Sequence, residues 1–544
     1  MSSFLKVKFK LLFFVYSFHI YYIAECDIMK KVLFIKNALI LTVTALILRV
    51  IGMVFRVWLA GSIGAEGMGL YQVIFSVYIL ASTFATSGIS TAVTRLVTER
   101  LAVGDKGSTG RILRLSSFLT LVVAAVTSII IIIFSAPISK YLIGDMRAIL
   151  SVRILCLGLP FMGVCSCFRG YFLARRSTLP PSISQIAEQI VRMLVIVFLV
   201  GKYASKGLTY TSAAVLLGDA VAEGMGCLLI WLFFKLDFRK IRQKSANSLK
   251  KRTIFSEIFR ISLPISGGRY LHTALRTAES LITPNCLAKY SGTKTAALEQ
   301  FGMIKGMALP ILLFPASLLS AVSTLLIPEI TQSVAEKNNL SVQSAVEKVF
   351  RITAFSSFLI GGIFFALAGP LGVVVYSSGS VGYLIKALAP LVPFMYIDLI
   401  ADGILKGLDE QTFLFKSNVF DSLVRVVLVF LLVPKFGMTG FLGVMIFSNL
   451  FTSVVSVIRI LKTTKTKFSF KNNFFNPLVS VMLASFISNQ ICLSVKNYNI
   501  LYIILVAISI SVLYLTFMIL LGCVDLNNIK PKLGLFRGKK SKTV

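Results

Sequence analysis

The chain has 544 residues, 56% of them hydrophobic and only 14% charged, with a mean hydropathy of +0.85. A soluble domain carries roughly 25% charged residues, so composition excludes a long soluble enzyme and makes this a membrane protein. The net charge of +34 would suggest nucleic acid in a soluble protein. Here the basic residues fall between apolar segments, which fits a positive-inside topology facing anionic lipid and leaves nucleic acid out as a partner.

In chain order, residues 1–29 come first. Lys6, Lys8 and Lys10 precede a short apolar run, Leu11–Ala24, and Met29-Lys30-Lys31 reads like a natural start. The reading is an over-long or peripheral extension, not native to the working protein, rather than a cleaved signal. Apolar stretches of about 20 residues, enough to cross ~30 Å of hydrocarbon, then recur along the chain. They give about fourteen spans: 37–62, 69–96, 113–136, 149–174, 180–203, 208–234, 257–283, 299–328, 350–370, 382–407, 413–434, 439–461, 474–494 and 498–523. The expected architecture is an all-α polytopic membrane protein with two six-helix pseudo-symmetric lobes and two further helices. The N-lobe occupies 30–235, a basic cytoplasmic loop 236–255, the C-lobe 256–465, the last two spans 466–525, and a basic cytoplasmic tail 526–544.

Orientation follows from the short loops. Lys235, Arg239, Lys240, Arg242, Lys244, Lys250, Lys251 and Arg252 crowd the connection after the sixth span against one acid, Asp237. Arg175-Arg176, the lysines after span twelve and the tail, with Lys530, Lys532, Arg537, Lys539, Lys540 and Lys542, fall on the same side. Both termini are then cytoplasmic.

The lobes rest on an internal repeat. Slid by 233 positions, Pro160-Phe161-Met162 lands on Pro393-Phe394-Met395, Gly170 on Gly403, Val191-Arg192 on Val424-Arg425 and Gly207 on Gly440. Glu188 meets Asp421, and Asp402 takes the place of Arg169. Near an offset of 228, Gly64 falls on Gly292, Gln72 on Gln300, and Arg49 within one residue of Arg276. Such repeats mark transporters with a substrate path between the lobes. Two halves of equal topology are related by an axis along the membrane normal.

Charges inside spans are costly and face a cavity or a partner. The first half places basic residues there: Arg49 and Arg56 in span one, Arg95 in span two and Arg169 in span four. The second half adds Arg269, Arg276 and Lys305, with carboxylates Glu279, Asp398 and Asp402. Arg49 and Arg56, seven apart, share one helix face. Guanidinium groups there suit a phosphate or pyrophosphate, which arginine grips bidentately. Arg49, Arg56, Arg169, Arg269, Arg276 and Lys305 are therefore the substrate-binding candidates. Arg95 and Arg169 are also read as snorkelling cations. Glu188–Arg192 and Asp421–Arg425, each four apart, read as an intrahelical ion pair in each lobe. Asn418, Asp421, Asp398 and Asp402 are the candidates for coupling to a cation, Na+ or H+. No other cofactor is expected.

The eight cysteines form no CxxC, and two histidines leave zinc without ligands. Gly292-Thr293-Lys294-Thr295 imitates the end of a phosphate-binding loop but lacks its leading glycine, and neither a nucleophile elbow nor HExxH occurs. No enzyme activity is expected, and transport would run on an ion gradient, the membrane potential or substrate flux.

Arg49-Val50-Ile51-Gly52, Phe55-Arg56 and Ile63-Gly64-Ala65-Glu66-Gly67-Met68-Gly69-Leu70-Tyr71-Gln72 resemble the opening of stage V sporulation protein B-like members of the MOP flippase superfamily. Lys305-Gly306-Met307-Ala308-Leu309-Pro310, Phe314-Pro315 and Leu326-Ile327-Pro328-Glu329 are similar to the same group. The resemblance covers roughly residues 30–525 and extends to the lipid II flippase. It implies two lobes in a V that open alternately to each side, and two last helices lining a groove for a polyprenyl tail. It also implies a cavity lined by first-span arginine, which Arg49 matches directly, while Arg56 matches only the sporulation-type pattern. A sodium site among spans seven, eleven and twelve is known in some flippases. Asn418 and Asp421 fit it, but span seven lacks an obvious aspartate.

The expected function is a flippase in the bacterial cell membrane. It carries a polyprenyl-pyrophosphate-linked glycan, a lipid II-like peptidoglycan precursor, across for spore-cortex or cell-wall synthesis. Anionic lipids and cell-wall synthases are the expected partners. The alternatives are an O-antigen-type repeat-unit exporter and a cation-coupled multidrug exporter of the same superfamily; the basic first half argues against the latter. A membrane-embedded glycosyl- or phosphotransferase and a non-transporting scaffold fit less well. The first would need acidic metal-binding loops beyond Asp409-Glu410, and the second gives buried charge no purpose.

Overall fold

A computed structural model of the chain describes residues 2–86, 88–241, 251–466, 469–492 and 499–523. Arg242, Lys244 and Lys250 of the basic connection and the tail lysines from Lys530 onward lie outside the described residues. Among the described residues every regular element is helical. The α-helices of seven residues or more are α1 (Ser2–Thr86), α2 (Ile89–Ala102), α3 (Lys106–Ile133), α4 (Ile149–Leu155), α5 (Leu159–Ala174), α6 (Leu179–Tyr203), α7 (Leu208–Ile241) and α8 (Lys251–Ser291). They continue with α9 (Lys294–Phe301), α10 (Ala316–Ala335), α11 (Asn339–Ala366), α12 (Ala368–Tyr376), α13 (Gly379–Leu388), α14 (Val392–Gly407), α15 (Gln411–Thr464), α16 (Asn476–Cys492) and α17 (Ile500–Leu520).

Among the described residues, ten helices are long and apolar enough to cross a membrane, so the protein is a multi-pass membrane protein. Two of the ten run for 64 and 54 residues, and each breaks at a glycine: Gly64 (φ 71°, ψ 179°) inside α1 and Gly437 (φ 57°, ψ −130°) inside α15. The expected spans 257–283 and 474–494 fall on α8 and on the 17-residue α16, which are not among the ten. Both breaks fall between expected spans, 37–62 and 69–96 for Gly64 and 413–434 and 439–461 for Gly437, where glycine takes a backbone conformation that would strain a Cβ-bearing residue.

The repeat is visible in the backbone over more of the chain than its identities suggested. α3 and α11 start and end at positions 233 apart, as do α5 and α14. Gly104 and Lys337 turn left-handed before α3 and α11 (φ 80° and 54°), Gly144 and Ser377 repeat this (73° and 52°), and so do Arg176 and Asp409 (54° and 62°). The helix starts match as well. Asp105 accepts the Ser108 amide at 3.1 Å, and Asn338, 233 positions on, accepts the Ser341 amide at 3.1 Å. Asp145 and Ser378 cap the next pair, accepting from Arg147 and Val381. These caps satisfy amides that the first turn leaves without carbonyl partners.

One expected match shifts. Gly207 (φ 90°) was paired with Gly440, yet the left-handed glycine of the second half is Gly437, and Gly440 lies inside α15. The first half inserts a three-residue 3₁₀ turn, Ala204–Lys206, that the second half lacks. The offset therefore falls from 233 to 230 after this connection. Gly64 and Gly292 (φ 71° and 76°) keep the expected correspondence near 228.

The chain packs as two compact units, one from Met1–Phe55 and Val77–Thr273, the other from Arg56–Ser76 and Ala274–Val544. In the first, Val93, Leu96, Ile112, Phe168, Phe172 and Ile258 form one buried apolar cluster. Tyr171 donates from it to Asp237 at 2.7 Å, where Arg175 also binds at 3.0 Å. In the second, residues 56–76 pack backbone-close on the helices that follow. A Cβ on Gly302 would stand 2.0 Å from the Ala65 carbonyl oxygen, and one on Gly69 1.9 Å from that of Leu298. Such small-residue contacts bring backbones together where the surrounding lipid gives no hydrophobic drive for helix association. α16 and α17 pack on α11 through Val481, Ala484, Val506, Ile510, Tyr514 and Met518, and the Tyr514 hydroxyl donates to the Phe355 carbonyl at 3.1 Å.

Candidate functional site

Each unit buries a group of charged side chains among its spans. In the first unit α5, α6 and α7 converge. Arg169 of α5 donates to Glu188 Oε2 at 2.7 Å, and Arg192, one turn along α6 from Glu188, holds Glu188 Oε1 at 2.9 Å. Arg192 also reaches Asp219 at 2.9 Å and Glu223 at 3.5 Å, both on α7, and donates to Gln189 at 2.7 Å. A Cβ on Gly226 would stand 2.7 Å from Glu188 Oε2, so the bare glycine leaves the carboxylate its room. The expected intrahelical pair Glu188–Arg192 is present, as one edge of a five-member network.

That network corrects the picture of a basic first half. Asp219 and Glu223 were not singled out from sequence, although their spacing of four inside an apolar span was the signal. Among the described residues this network sets three buried carboxylates against two guanidiniums, so the basic-cavity argument against a cation-coupled exporter loses force.

In the second unit the paired motif behaves differently. Arg425 does not close on Asp421 as expected; it donates to Glu279 of α8 at 2.5 Å, and Lys305 lies 3.6 Å from the same carboxylate. Asp421 instead accepts from Ser448 at 2.7 Å. Glu279, only 4% exposed, has no counterpart at the matching place in the first unit. A buried carboxylate facing Arg425 and Lys305 draws the guanidinium away from the half-satisfied Asp421.

The ten expected site residues therefore divide. Arg169 and Lys305 are held by carboxylates. Arg49, Arg56, Arg269 and Arg276, on α1 and α8, have no hydrogen bond or ion pair among the described residues. Arg56 is half-buried and the other three are exposed on their unit. Of the cation candidates, Asp402 pairs with Lys406 one turn on, Asp398 accepts from Ser456 at 3.4 Å, and Asn418 is half-buried. Asp398 lies within electrostatic reach of Asp402, Asp421 and Arg276. Arg95 pairs with Glu99 on the surface, consistent with a snorkelling cation.

The second unit also holds an apolar cavity of about 630 Å³. Phe358 and Phe365 of α11, Phe394 of α14, and Phe474, Met482 and Phe486 at α16 line it. Lys386 of α13 is the one charged side chain in that lining, with its Nζ 5.4 Å from the centre of the Phe365 ring. Of the last two spans, the first contributes to the lining and α17 does not.

Residues 34–334 match a family described as polysaccharide biosynthesis protein, which is more than half of the chain. The chain belongs to that family. It is 28% identical to stage V sporulation protein B of Bacillus subtilis (strain 168) over 76% of this chain and 80% of that protein. It is 23% identical to the lipid II flippase MurJ of the same organism over 72% of this chain and 76% of that protein. Among solved structures, lipid II flippase MurJ in an inward closed conformation superposes with a TM-score of 0.65 at 15% identity, covering 88% of this chain and 98% of that one. An inward-facing multidrug resistance MATE family transporter of the MOP superfamily superposes at 0.60 and 14% identity, over 78% of this chain and all of that one. The resemblance to the MOP superfamily and to stage V sporulation protein B is borne out, as is the all-α polytopic fold. The relatives whose names state an activity are a flippase and transporters, and not enzymes, as expected.

Proposed function

We propose that the protein is a flippase that moves a polyprenyl-pyrophosphate-linked saccharide across the cell membrane by alternating access. The substrate is a lipid II-like peptidoglycan precursor, used for spore cortex or cell-wall synthesis. One observation carries the reading: Arg49, Arg56 and Arg269, on α1 and α8, make no hydrogen bond or ion pair among the described residues, and Arg276 has acids only at a distance, while Arg169, Arg192 and Arg425 are each held by carboxylates. A guanidinium at membrane depth without a protein partner is best satisfied by an anion that it can grip with two N–H groups, such as a phosphate ester. The phenylalanine-lined cavity at α11, α14 and α16 suits part of an isoprenoid chain. Both termini face the cytoplasm by the positive-inside bias. Cell-wall synthases are the partners that such a cargo implies, and anionic lipid neutralises the basic loops. Coupling to Na+ or H+ through Asn418, Asp421, Asp398 and Asp402 accompanies the reading.

The carboxylate-rich network of the first unit favours a second reading, a cation-coupled exporter of the same superfamily. Reconstitution with lipid II in vesicles separates the two. Arg49→Ala and Arg276→Ala are expected to slow translocation at least about tenfold, the loss of one charge-assisted contact of roughly 1.5–3 kcal/mol. Unchanged lipid II translocation in both variants, with organic-cation efflux by the wild type, would leave the second reading standing.

A further inference from the structure

The buried network of the first unit carries one negative charge more than its guanidiniums neutralise. Glu188, Asp219 and Glu223 are 7%, 7% and 6% exposed, and among the described residues Arg169 and Arg192 are the cations they pair with. Arg192 is shared among all three, and its 3.5 Å distance to Glu223 is the longest of its contacts. Asp219 Oδ2 is buried and accepts no hydrogen bond from the described residues, while its Oδ1 holds Arg192. The other titratable groups around the network are Tyr78 of α1, Cys165 of α5 and Cys227 of α7, and none supplies positive charge. An uncompensated carboxylate surrounded by apolar helices is strongly disfavoured, so the network calls for one more unit of positive charge.

We propose that Asp219 and Glu223, one helical turn apart on α7, hold one proton between them at neutral pH and form a proton-loading site of the first unit. The step is the protonation of one carboxylate to a carboxylic acid, with the proton drawn from and returned to water. The acid form brings the network to neutrality. A metal ion fits less well: among the described residues no three His, Cys, Asp or Glu side chains converge at ligand spacing, and the Arg192 fork lies among the carboxylates. The corrected register of the repeat puts Asn449 and Ser453 where Asp219 and Glu223 stand, so the second unit carries no such pair there.

Infrared difference spectra of the purified full-length protein, taken in H2O and D2O at neutral pH without substrate, read a protonated carboxyl directly. The wild type is expected to show its C=O band, insensitive to added NaCl relative to choline chloride. Asp219→Asn and Glu223→Gln, each of which removes the surplus charge, are each expected to lose it; either one that folds suffices. Absence of the band in the wild type, its persistence in a folded variant, or its disappearance on adding sodium alone would each overturn the assignment. The proposal leans on the transport reading only in treating the protein as gradient-driven. Because the band is recorded without substrate, its failure leaves the flippase reading in place, and failed lipid II translocation leaves the proton site in place.

Discussion

Replacing Arg192 by Met removes the one side chain that touches every carboxylate of the first unit's network. Its side chain is 21% exposed and its partners' are 8–10%, so solvent takes up little of the loss. Glu188 keeps Arg169 at 2.7 Å, but Asp219 and Glu223 lose the cation that holds them. Breaking a buried ion pair from one side costs about 3–5 kcal/mol, and protonation of the released carboxyls caps the cost within that range. For a cooperative unit of 150–250 residues this corresponds to a fall in Tm on the order of 10 °C. Thermal unfolding in detergent, read by tryptophan-independent thiol labelling or light scattering, measures it. Arg95→Met is the control: Arg95 and Glu99 are 63% and 48% exposed, and such a pair contributes well under about 1 kcal/mol. Adding Asp219→Asn to Arg192→Met is expected to recover part of the loss, because one of the stranded charges is removed. An Arg192→Met protein that melts within about a degree of the Arg95→Met protein would refute the account of the network, since the two costs differ severalfold.

Three further outcomes follow from the geometry. A double-mutant cycle between Arg425→Gln and Glu279→Gln is expected to give a coupling of about 1–3 kcal/mol, and the cycle between Arg425→Gln and Asp421→Asn much less; equal couplings would restore the intrahelical pair. Gly302→Ala is expected to reduce the folded yield sharply. The added Cβ meets the Ala65 carbonyl at 2.0 Å and the Gly69 amide nitrogen at 2.6 Å, backbone atoms that cannot move aside. Gly61→Ala, with nothing within 4 Å, should be recovered normally by size-exclusion chromatography. Tyr514→Phe removes the hydroxyl that reaches the Phe355 carbonyl and should lower stability by about 1 kcal/mol, seen as earlier release of α17 in hydrogen exchange.

The repeat shows how far local sequence reaches. The caps Asp105, Asn338, Asp145 and Ser378 act on amides two or three residues away, so the helix starts of both halves are written in a few adjacent residues. Gly207 and Gly440 aligned as letters, but only the backbone shows that Gly437 makes the turn. A connection shortened by three residues shifts the register without disturbing the helices on either side. The charged residues were legible individually. Their partners were not, because α6 and α15 carry the same Glu/Asp-x-x-x-Arg motif and diverge over what lies opposite.

The amino-acid sequence alone determined the membrane character, the all-helical fold, the repetition, the Glu188–Arg192 pair and the family resemblance, since each depends on hydropathy, spacing of four, or short motifs. The tertiary structure decided which arginines close an ion pair with an acid and which, among the described residues, do not. Glu279 stands 146 residues from Arg425, and Asp219 and Glu223 reach Arg192 from a separate helix. In a medium that solvates no charge, an ionisable group takes the partner that packing brings nearest, and that neighbour is set by which helices touch.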